Sequence, residues 1–217
     1  MPPPRLAFPL ACPDSMKQSH FFTECASPLG TLRLQGTALA LSGLCLAEHA
    51  DRSPLHTETT RDDSLFRTAR EQVEEFLSGQ RRAFSIPIEL TGTPFQVRVW
   101  RELLSIPYGE TRSYVQIAEN IGAHRASRAV GSANRCNPLL ILVPCHRVIA
   151  ADGSLSGYQG GVEAKKFLLA LEGNTSTQSP HHICPPPVPI AYTDMRTKQQ
   201  TGLGAVDGRT RTPVAQS

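Results

Sequence analysis

Two helix-start signals constrain the fold of this 217-residue chain more than any other feature. Residues 93–96 (TPFQ) and 113–116 (SYVQ) are both capping boxes, in which a hydroxyl and an amide three residues later bond free N–H groups of a first helical turn. The second box predicts a short helix that stops at Gly122, and a further helix is predicted over residues 125–134. Two short helices joined by a glycine-containing turn are typical of a helix-turn-helix, although this spacing fits an ordinary αα-hairpin equally well.

The composition of the second of these helices favours the helix-turn-helix. Most of its residues are small, so its backbone can approach another surface closely, whereas a core helix would carry larger apolar side chains. Arg125, Arg128 and Arg135 are predicted to project from it, and Arg128 is the candidate for a side chain that wedges into a base step from the minor groove. The small residues are Ala126, Ser127, Ala129, Gly131, Ser132 and Ala133.

The charge of the chain is distributed unevenly. A net charge of +3 is too small to indicate a nucleic-acid-binding protein by itself. However, residues 95–147 contain seven arginines, no lysine and three glutamates, and residues 121–150 contain no acidic residue at all. A solvated charged face is the ordinary interpretation of such a run, but the exclusion of Asp and Glu is what contact with phosphates requires.

A thiol and an imidazole are adjacent in residues 143–148 (VPCHRV), directly after this arginine-rich region. Buried structural cysteines are more common than reactive ones, so the pair alone is a weak signal. Residues 139–143 (LLILV) predict a fully buried strand that Pro144 ends, which would place Cys145 at a strand end facing a cleft. Neighbouring side chains of an extended segment point to opposite faces, so a bridging water is expected to link Cys145 and His146.

The first half of the chain predicts a small α/β unit after an aperiodic start. Residues 1–19 are rich in proline and are predicted to be disordered. The first domain is predicted to span residues 20–91. Apolar runs broken by turn residues predict a β-meander over 20–46, an apolar stripe predicts a helix over 63–79, and residues 84–90 predict a further strand.

The second half predicts a mainly helical domain that spans residues 92–173. Asp152 and Gly153 predict a hairpin turn, and a last helix is predicted over 162–171. The tail, residues 174–217, is rich in proline, has no periodicity and is predicted to be disordered. The chain as a whole is therefore predicted to be an α/β protein of the α+β class.

Several other classes of protein are not expected. No apolar stretch approaches the length needed to cross a bilayer, and residues 1–10 lack the apolar core of a signal peptide. The six cysteines include no C-x-x-C pair, which argues against a disulfide framework and favours a reducing compartment, hence a cytoplasmic location, or a nuclear one in a eukaryote. Cysteines and histidines lack compact ligand spacing, so we expect no metal, and the glycine-rich loop 156–161 lacks the Lys-Ser/Thr of a P-loop.

A series of short motifs in the second domain is specific to one protein family. In chain order these are Tyr114, RAVG at 128–131, NP at 137–138, PCHRV at 144–148, Tyr158 and Glu172. With them, residues 93–173 closely resemble the O6-alkylguanine-DNA alkyltransferases, also called methylated-DNA–protein-cysteine methyltransferases. The resemblance implies a ribonuclease H-like first domain and a winged-helix-like second one. It also implies a monomer without cofactor that acts on double-stranded DNA containing alkylated guanine.

The resemblance implies a single-turnover reaction. A methyl or small alkyl group on O6 of guanine, or O4 of thymine, is transferred irreversibly to Cys145, because a thioether is not hydrolysed and the thiol is not regenerated. His146 deprotonates the thiol through a water, and Glu172 orients His146. Without the resemblance, Glu172 would be interpreted as a solvated residue opposing the dipole of its helix.

The resemblance also assigns residues to base flipping and to the base pocket. Arg128 fills the space left by the flipped nucleotide, and Tyr114 crowds the phosphate and donates a proton toward guanine N3. From the residues alone, Tyr114 would be a core aromatic and Tyr158 an exposed loop aromatic. The DNA-contact residues are Arg125, Ala126, Ser127, Arg128, Ala129, Arg135 and Tyr114, and the pocket residues are Asn137, Arg147, Val148, Tyr158 and Gln159.

Two other functions are considered. The first is a lesion binder that recognises the damaged base without reacting with it, against which Cys145, His146 and Glu172 all argue. The second is a turnover peptidase or acyltransferase using the same three residues, which would leave the arginine-rich small-residue helix unexplained. Leu140 and Ser156 fall in segments that border the alkyl pocket in relatives, and we hypothesise that they restrict it to small groups.

Overall fold

The computed structural model describes residues 19–52, 59–155, 157–173 and 190–194. Almost all of the residues predicted to be disordered, at the start of the chain and in the tail, lie outside these ranges. Ser156 also lies outside them.

A mixed β-sheet forms the first part of the structure. Strands β1 (His20–Cys25), β2 (Leu32–Gly36) and β3 (Leu41–Leu46) make the predicted antiparallel meander. Strand β4 (Thr59–Arg61) pairs parallel with β1, and β5 (Ile88–Gly92) pairs parallel with β3. The sheet is therefore extended on both sides of the meander by strands that come later in the chain.

Within the described ranges, five α-helices follow the predicted order. Their bounds are α1 (Arg67–Leu77), α2 (Pro94–Leu104), α3 (Tyr114–Asn120), α4 (Ser127–Arg135) and α5 (Gly161–Gly173). Both capping boxes are confirmed: in each, the hydroxyl accepts from the third backbone N–H of the helix and the amide accepts from the cap residue. Helices α2, α3 and α4 pack against one another.

Helix α1 begins four residues later than its apolar pattern indicates. The Asp62 carboxylate accepts hydrogen bonds from the backbone N–H groups of Ser64 and Leu65, at 2.9 and 3.1 Å, and these bonds hold the chain in a turn before the helix. Of the six residues in the predicted apolar stripe, five are buried in the core and Leu65 is half-buried, so the stripe is confirmed. The five buried residues are Phe66, Ala69, Val73, Phe76 and Leu77.

The strand predicted over residues 84–90 is displaced to Ile88–Gly92. Phe84 and Ile86 are buried but do not pair with a strand. The reason is a side-chain contact with α1: the backbone N–H of Ser85 donates to the Gln72 side chain at 2.9 Å. That bond replaces one that a neighbouring strand would have supplied.

Two further pairings were not predicted. Strands β6 (Arg112–Ser113) and β7 (Val148–Ile149) form a small parallel sheet. The turn at Asp152 and Gly153 forms, but β7 pairs with β6, so the predicted hairpin is wrong. Strand β8 (Ile190–Asp194) pairs parallel with β5, giving the order β4-β1-β2-β3-β5-β8, and to this extent the prediction of a wholly disordered tail is also wrong.

Both predicted domains contribute to one continuous apolar cluster. Leu44 of β3 forms a backbone bridge with Leu139, and the rings of Phe76 and Tyr108 meet edge to face at 5.9 Å between centroids. The site described below is therefore supported from both halves of the chain. No helix in the described ranges combines the length and apolarity required to cross a bilayer.

Candidate active site

The predicted strand over residues 139–143 is wrong, although all five residues are buried as expected. Only Leu139 makes a bridge, and the chain then turns. The Asn137 carboxamide takes the place of a neighbouring strand: its Oδ1 accepts from the N–H of Leu139 at 3.0 Å, and its Nδ2 donates to the carbonyl of Val143 at 2.9 Å. Apolar pattern predicts burial but does not distinguish a buried strand from a turn braced in this way.

The same turn contains the one non-glycine residue with positive φ in the described part of the chain. Ile141 has a φ of 71° and is 1% exposed. Such a conformation costs a β-branched residue about 1–3 kcal/mol, so the surrounding packing must hold it. The strained turn lies between Asn137 and the cysteine that both sequence and structure single out.

Cys145 begins a short 3-10 helix, Cys145–Arg147, and does not lie in extended chain as predicted. Its side chain is fully buried, and Asn137 Nδ2 donates to its Sγ at 3.0 Å. Burial raises the pKa of the Cys145 thiol to about 11, against the hydrogen bond from Asn137 and the charge of Lys165, which lower it. The resting group is therefore a thiol that must lose its proton in order to act as a nucleophile.

His146, the second residue of this 3-10 helix, forms a buried pair with Glu172 of α5. His146 Nε2 lies 2.8 Å from Glu172 Oε1, and the two side chains are 0% and 1% exposed. Burial lowers the pKa of His146, outweighing the opposite effect of Glu172, so the ring is neutral at neutral pH. Because an ionised carboxylate only accepts, Nε2 carries the hydrogen and Nδ1 is left as an acceptor. That Nδ1 is buried and has no hydrogen-bond partner among the described residues.

Glu172 is held by more groups than the sequence suggested. Arg147 donates from Nε and Nη2, at 3.0 Å each, and the backbone N–H of Gly109 donates at 3.0 Å. Burial alone would raise the pKa of Glu172, but the hydrogen bonds and charges of His146 and Arg147 lower it to about 2. The carboxylate is therefore ionised, and helix α5 extends past it to Gly173.

Arg147, which was predicted to line the substrate pocket, makes contacts that the sequence did not indicate. Its guanidinium bonds Glu172 and donates from Nη1 to the Ile106 carbonyl at 2.6 Å, so it anchors the carboxylate. The sequence contained a signal for this contact, because an arginine that directly follows a histidine can bind the same glutamate carboxylate as the histidine. Nothing in the spacing, however, showed which of the seven arginines in this region would do so.

The remaining pocket residues surround the pair. Tyr158 is 8% exposed, so the alternative of an exposed loop aromatic is wrong, and its ring meets that of His146 edge to face at 6.4 Å between centroids. Its hydroxyl and the Gln159 Oε1 are buried without a hydrogen-bond partner in the described structure. Unpaired polar atoms beside a thiol are expected where a polar ligand binds. Val148 is fully buried.

Two residues of the site were not identified from the sequence. Lys165 of α5 is 0% exposed, and its Nζ donates to the Val148 carbonyl at 2.6 Å. Asn134 of α4 is also fully buried, and its Nδ2 donates to the Cys145 carbonyl at 3.3 Å. A polar residue inside an amphipathic helix is usually exposed, so only packing revealed that both face inward.

Helix α4 has an inner and an outer face. Val130, Ala133 and Asn134 are buried, and Trp100 of α2 donates from its indole nitrogen to the Ala133 carbonyl at 2.9 Å. The predicted DNA-contact residues lie outside. Those that are exposed are Arg125, Arg128, Ala129 and Arg135, and those that are half-buried are Ala126 and Ser127. Arg128 and Arg135 are seven residues apart and so share one side of the helix.

Tyr114 lies at the start of α3, facing α4 and the loop after β7. It is half-buried, and its ring carbons would lie 3.8 Å from a Cβ placed on Gly131. Its hydroxyl would lie 3.3 Å from a Cβ on Gly157, whose φ of +70° favours glycine. Small residues on both sides thus leave room for this ring at the edge of the site.

No group of three or more metal-ligating side chains occurs within residues 19–52, 59–155, 157–173 and 190–194. A buried thiol beside a neutral histidine and an ionised glutamate, beneath a helix with exposed arginines, defines a cysteine-nucleophile protein with a cationic recognition surface.

Comparison with known proteins supports this class of protein. Residues 94–174 match the family described as 6-O-methylguanine DNA methyltransferase, DNA binding domain. The methylated-DNA–protein-cysteine methyltransferase of Mycobacterium tuberculosis is 49% identical over 146 residues, which are 67% of this chain and 88% of the relative. That of Methanosarcina acetivorans is 43% identical over 148 residues, 68% of this chain and 95% of the relative. The chain belongs to the methylated-DNA–protein-cysteine methyltransferase family, and the predicted resemblance is confirmed.

Solved structures show the same similarity. The O6-methylguanine methyltransferase of M. tuberculosis superimposes with a TM-score of 0.69 at 44% identity, covering 74% of this chain and 96% of that one. The OGT protein of that organism in complex with DNA has a TM-score of 0.67 at 45% identity, covering 71% of this chain and 93% of that one. The mixed α+β architecture is therefore shared.

Proposed function

We propose that this protein repairs DNA by direct reversal, transferring a methyl or small alkyl group from O6 of guanine in duplex DNA to Cys145. One observation carries the proposal: a fully buried Cys145, whose thiol accepts a hydrogen bond from Asn137, is followed by His146 in a buried pair with Glu172, and Asn134 of α4 bonds the Cys145 carbonyl. Family membership supports the same reaction class. The proposal extends to O4-alkylthymine, which presents an alkyl group on an equivalent exocyclic oxygen.

The proposed reaction is a single displacement at carbon. The proton of the Cys145 thiol passes through a water to Nδ1 of neutral His146, and the positive charge that forms is stabilised by ionised Glu172. The thiolate attacks the alkyl carbon, the new S–C bond forms as the C–O6 bond breaks, and the electron pair leaves with guanine. Guanine then takes a proton, for which Tyr114 is the proposed donor toward N3. Cys145 ends as a thioether and the protein reacts only once.

Base flipping is part of the proposal because the thiol is fully buried. An O6 substituent inside the base stack cannot reach a buried sulfur, so the nucleotide must rotate into the pocket at a cost of about a few kcal/mol of unstacking. Exposed Arg128 is proposed to occupy the vacated space, and its neighbours Ala126, Ser127 and Ala129 to allow close approach to the minor groove. Arg125 and Arg135 are proposed to contact phosphates.

Mass spectrometry tests the proposal. The protein is incubated with duplex DNA containing O6-methylguanine, and one methyl group per molecule is expected on Cys145. Cleavage after Arg135 and Arg147 leaves Cys136 and Cys145 in one peptide, so fragmentation must assign the methyl group. Cys136 is exposed, and Cys136→Ser is the matched control that should retain full transfer, whereas Cys145→Ser should bind DNA without being modified.

The other two functions give different results in the same experiment. Tight binding of the lesion without any gain in mass would indicate a lesion binder. Turnover of a thioester or peptide substrate by many equivalents per protein molecule would indicate a hydrolase or acyltransferase. Comparing O6-methylguanine with O6-benzylguanine tests the size of the pocket near Leu140, which is 3% exposed, and equal rates would contradict restriction to small groups.

A further inference from the structure

Asn134 is a buried polar residue of α4 to which the proposed reaction gives no part. Its side chain is 0% exposed, and its Nδ2 donates to the Cys145 carbonyl at 3.3 Å. Because a carbonyl oxygen only accepts, this contact fixes which end of the amide faces the cysteine. The other end, Oδ1, is buried and has no hydrogen-bond partner among the described residues. The bond to Cys145 is therefore the one hydrogen bond that the described structure gives this side chain.

Stability alone does not account for an asparagine at this position. The residues beside it on the inner face of α4 are apolar, Val130 and Ala133. Burying an acceptor without a partner costs at least as much free energy as a typical internal hydrogen bond contributes, and a leucine of similar size would avoid that cost. What the asparagine contributes is therefore the contact itself, which joins α4 to the main chain of Cys145.

The position of α4 is fixed by other neighbours. Trp100 of α2 donates to the carbonyl of Ala133, the residue before Asn134, at 2.9 Å. The Cys145 sulfur is held from a different place, since Asn137 lies in the turn after α4. Among the described hydrogen bonds of Cys145, the one from Asn134 is thus the one that comes from within α4.

The proposed displacement requires a fixed separation between α4 and the sulfur. Arg128 on the outer face of α4 is proposed to hold the DNA, so this helix determines where the alkyl carbon lies. The Cys145 sulfur must meet that carbon in line with the departing oxygen, and a misplacement of about 1 Å can lower the rate about a hundredfold. A bond between α4 and the main chain of the nucleophile keeps the two in register while DNA is bound.

We propose that Asn134 is a positioning residue that ties the main chain of Cys145 to the helix holding the DNA, so that the sulfur meets the alkyl carbon at the distance and angle that displacement requires. The inference rests on the proposed function in that duplex DNA is held on α4 and its lesion reacts with Cys145. The role depends on DNA. Val148 of the base pocket lies three residues after Cys145 and moves with it, so a free modified base does not need the contact.

The test replaces the amide by an apolar group of similar size, as Asn134→Leu. Single-turnover methyl transfer at saturating duplex DNA containing O6-methylguanine should slow about tenfold or more, whereas reaction with free O6-methylguanine should change less than about threefold. Duplex affinity should not change, because the outer face of α4 is untouched. A residue that merely supports the fold would lower both rates together, so the ratio of the two rates is the decisive measurement.

Two further measurements show whether the variant keeps its structure. The urea midpoint should be no lower than that of the unmodified protein, because the unpartnered Oδ1 is removed and the Cys145 carbonyl still accepts from the Val148 N–H. Trp100 is the only tryptophan of the chain, so its fluorescence emission reports on the contact with α4 and should be unchanged. Asn134→Met, whose unbranched side chain adapts to irregular spaces, gives the same test if Asn134→Leu does not fold.

Asn120→Leu is the matched control. Asn120 is exposed, and its amide donates to Glu102 Oε1 at 2.7 Å. The same change there should leave both rates and their ratio unchanged. Equal losses on duplex and free base in Asn134→Leu, or no loss on either, would overturn the proposal. If the unmodified protein gains no methyl group at all, the proposed function fails and the inference falls with it.

Discussion

At the scale of single residues, the site keeps a thiol protonated beside a base that is ready to receive its proton. Ionised Glu172 accepts the Nε2 hydrogen of His146 and so leaves Nδ1 as the acceptor of the ring, which is the atom proposed to act as the base. Arg147 and the Gly109 N–H hold Glu172 in its ionised form. These contacts explain why the Glu172 carboxylate is buried at the end of a helix, where the helix dipole alone would disfavour a negative charge.

Replacing Arg128 should separate base flipping from chemistry. In Arg128→Ala, methyl transfer from duplex DNA should slow about 10- to 100-fold, because nothing then offsets the unstacking cost, whereas reaction with the free modified base should change little. Single-turnover rates at saturating DNA measure both.

Arg135→Ala is the comparison for that experiment, because Arg135 lies on the same side of α4 and is proposed to contact phosphate only. Arg135→Ala should lower the affinity for duplex DNA and make that affinity less dependent on salt. Its transfer rate at saturating DNA should equal that of the unmodified protein. Equal losses of Arg128→Ala on duplex and free base would show that Arg128 does not assist flipping.

At the scale of elements, α4 is connected directly to the nucleophile. Asn134 on its inner face bonds the Cys145 carbonyl, and Asn137, just beyond its end, bonds the Cys145 sulfur. Helix α4 therefore has exposed arginines on its outer face and a direct hydrogen bond to the cysteine segment on its inner face. A molecule that contacts Arg128 on α4 is therefore brought near the segment that carries Cys145.

The turn after α4 should depend on Asn137. Asn137→Ala removes a donor and an acceptor from buried backbone groups of Leu139 and Val143, and it leaves the strained Ile141 without its brace. The free energy of unfolding, measured by urea denaturation, should fall by about 3 kcal/mol or more. Asn120→Ala is the control: Asn120 is exposed and bonds only the side chain of Glu102 among the contacts described, so a loss within about 0.5 kcal/mol is expected. Similar losses in the two variants would refute a special role for the turn.

At the scale of the whole molecule, buried charges join distant parts of the chain. Glu172 of α5 contacts Arg147 and Gly109, and Arg147 reaches the carbonyl of Ile106 after α2. The same region is continuous with the apolar cluster that includes the sheet. Protonation of this network should therefore affect the stability of the entire fold.

Stability should fall in acid, and the sign follows from the two pKa shifts. The pKa of Glu172 is lowered from 4.5 to about 2, so its contribution is fully present above about pH 4.5 and is lost as pH falls toward 2. The lowered pKa of His146 adds a loss that begins below its ordinary value of 6.5, because the unfolded chain binds that proton more readily. The Glu172 contribution amounts to about 3 kcal/mol.

Denaturation curves recorded from pH 7 to pH 3 check this dependence. Glu172→Gln should be less stable than the unmodified protein at pH 7, and the difference between them should shrink as the pH falls. Glu163→Gln on the same helix is the control, since the Glu163 side chain is 86% exposed, and its curve should parallel that of the unmodified protein. A pH-independent gap for Glu172→Gln would show that its carboxylate does not have the lowered pKa.

Local signals in the sequence were sufficient for the starts of α2 and α3. Both capping boxes form as predicted, because all the groups that they join lie within four residues of one another. The apolar stripe of α1 and the burial of residues 139–143 were also predicted correctly. The conformation of those five residues was not, because the side chain of Asn137, and not a neighbouring strand, bonds their backbone.

The sequence by itself therefore determined the starts of the two capped helices, the buried segments and, through its motifs, the family. Only the tertiary structure decided that Arg147 holds Glu172, that Asn134 bonds the Cys145 carbonyl and Lys165 that of Val148, and that β8 extends the sheet. The physical reason is the range of the interactions. Caps and apolar periodicity act between near neighbours, whereas the ionisation of Cys145 depends on burial and on a lysine 20 residues further along the chain.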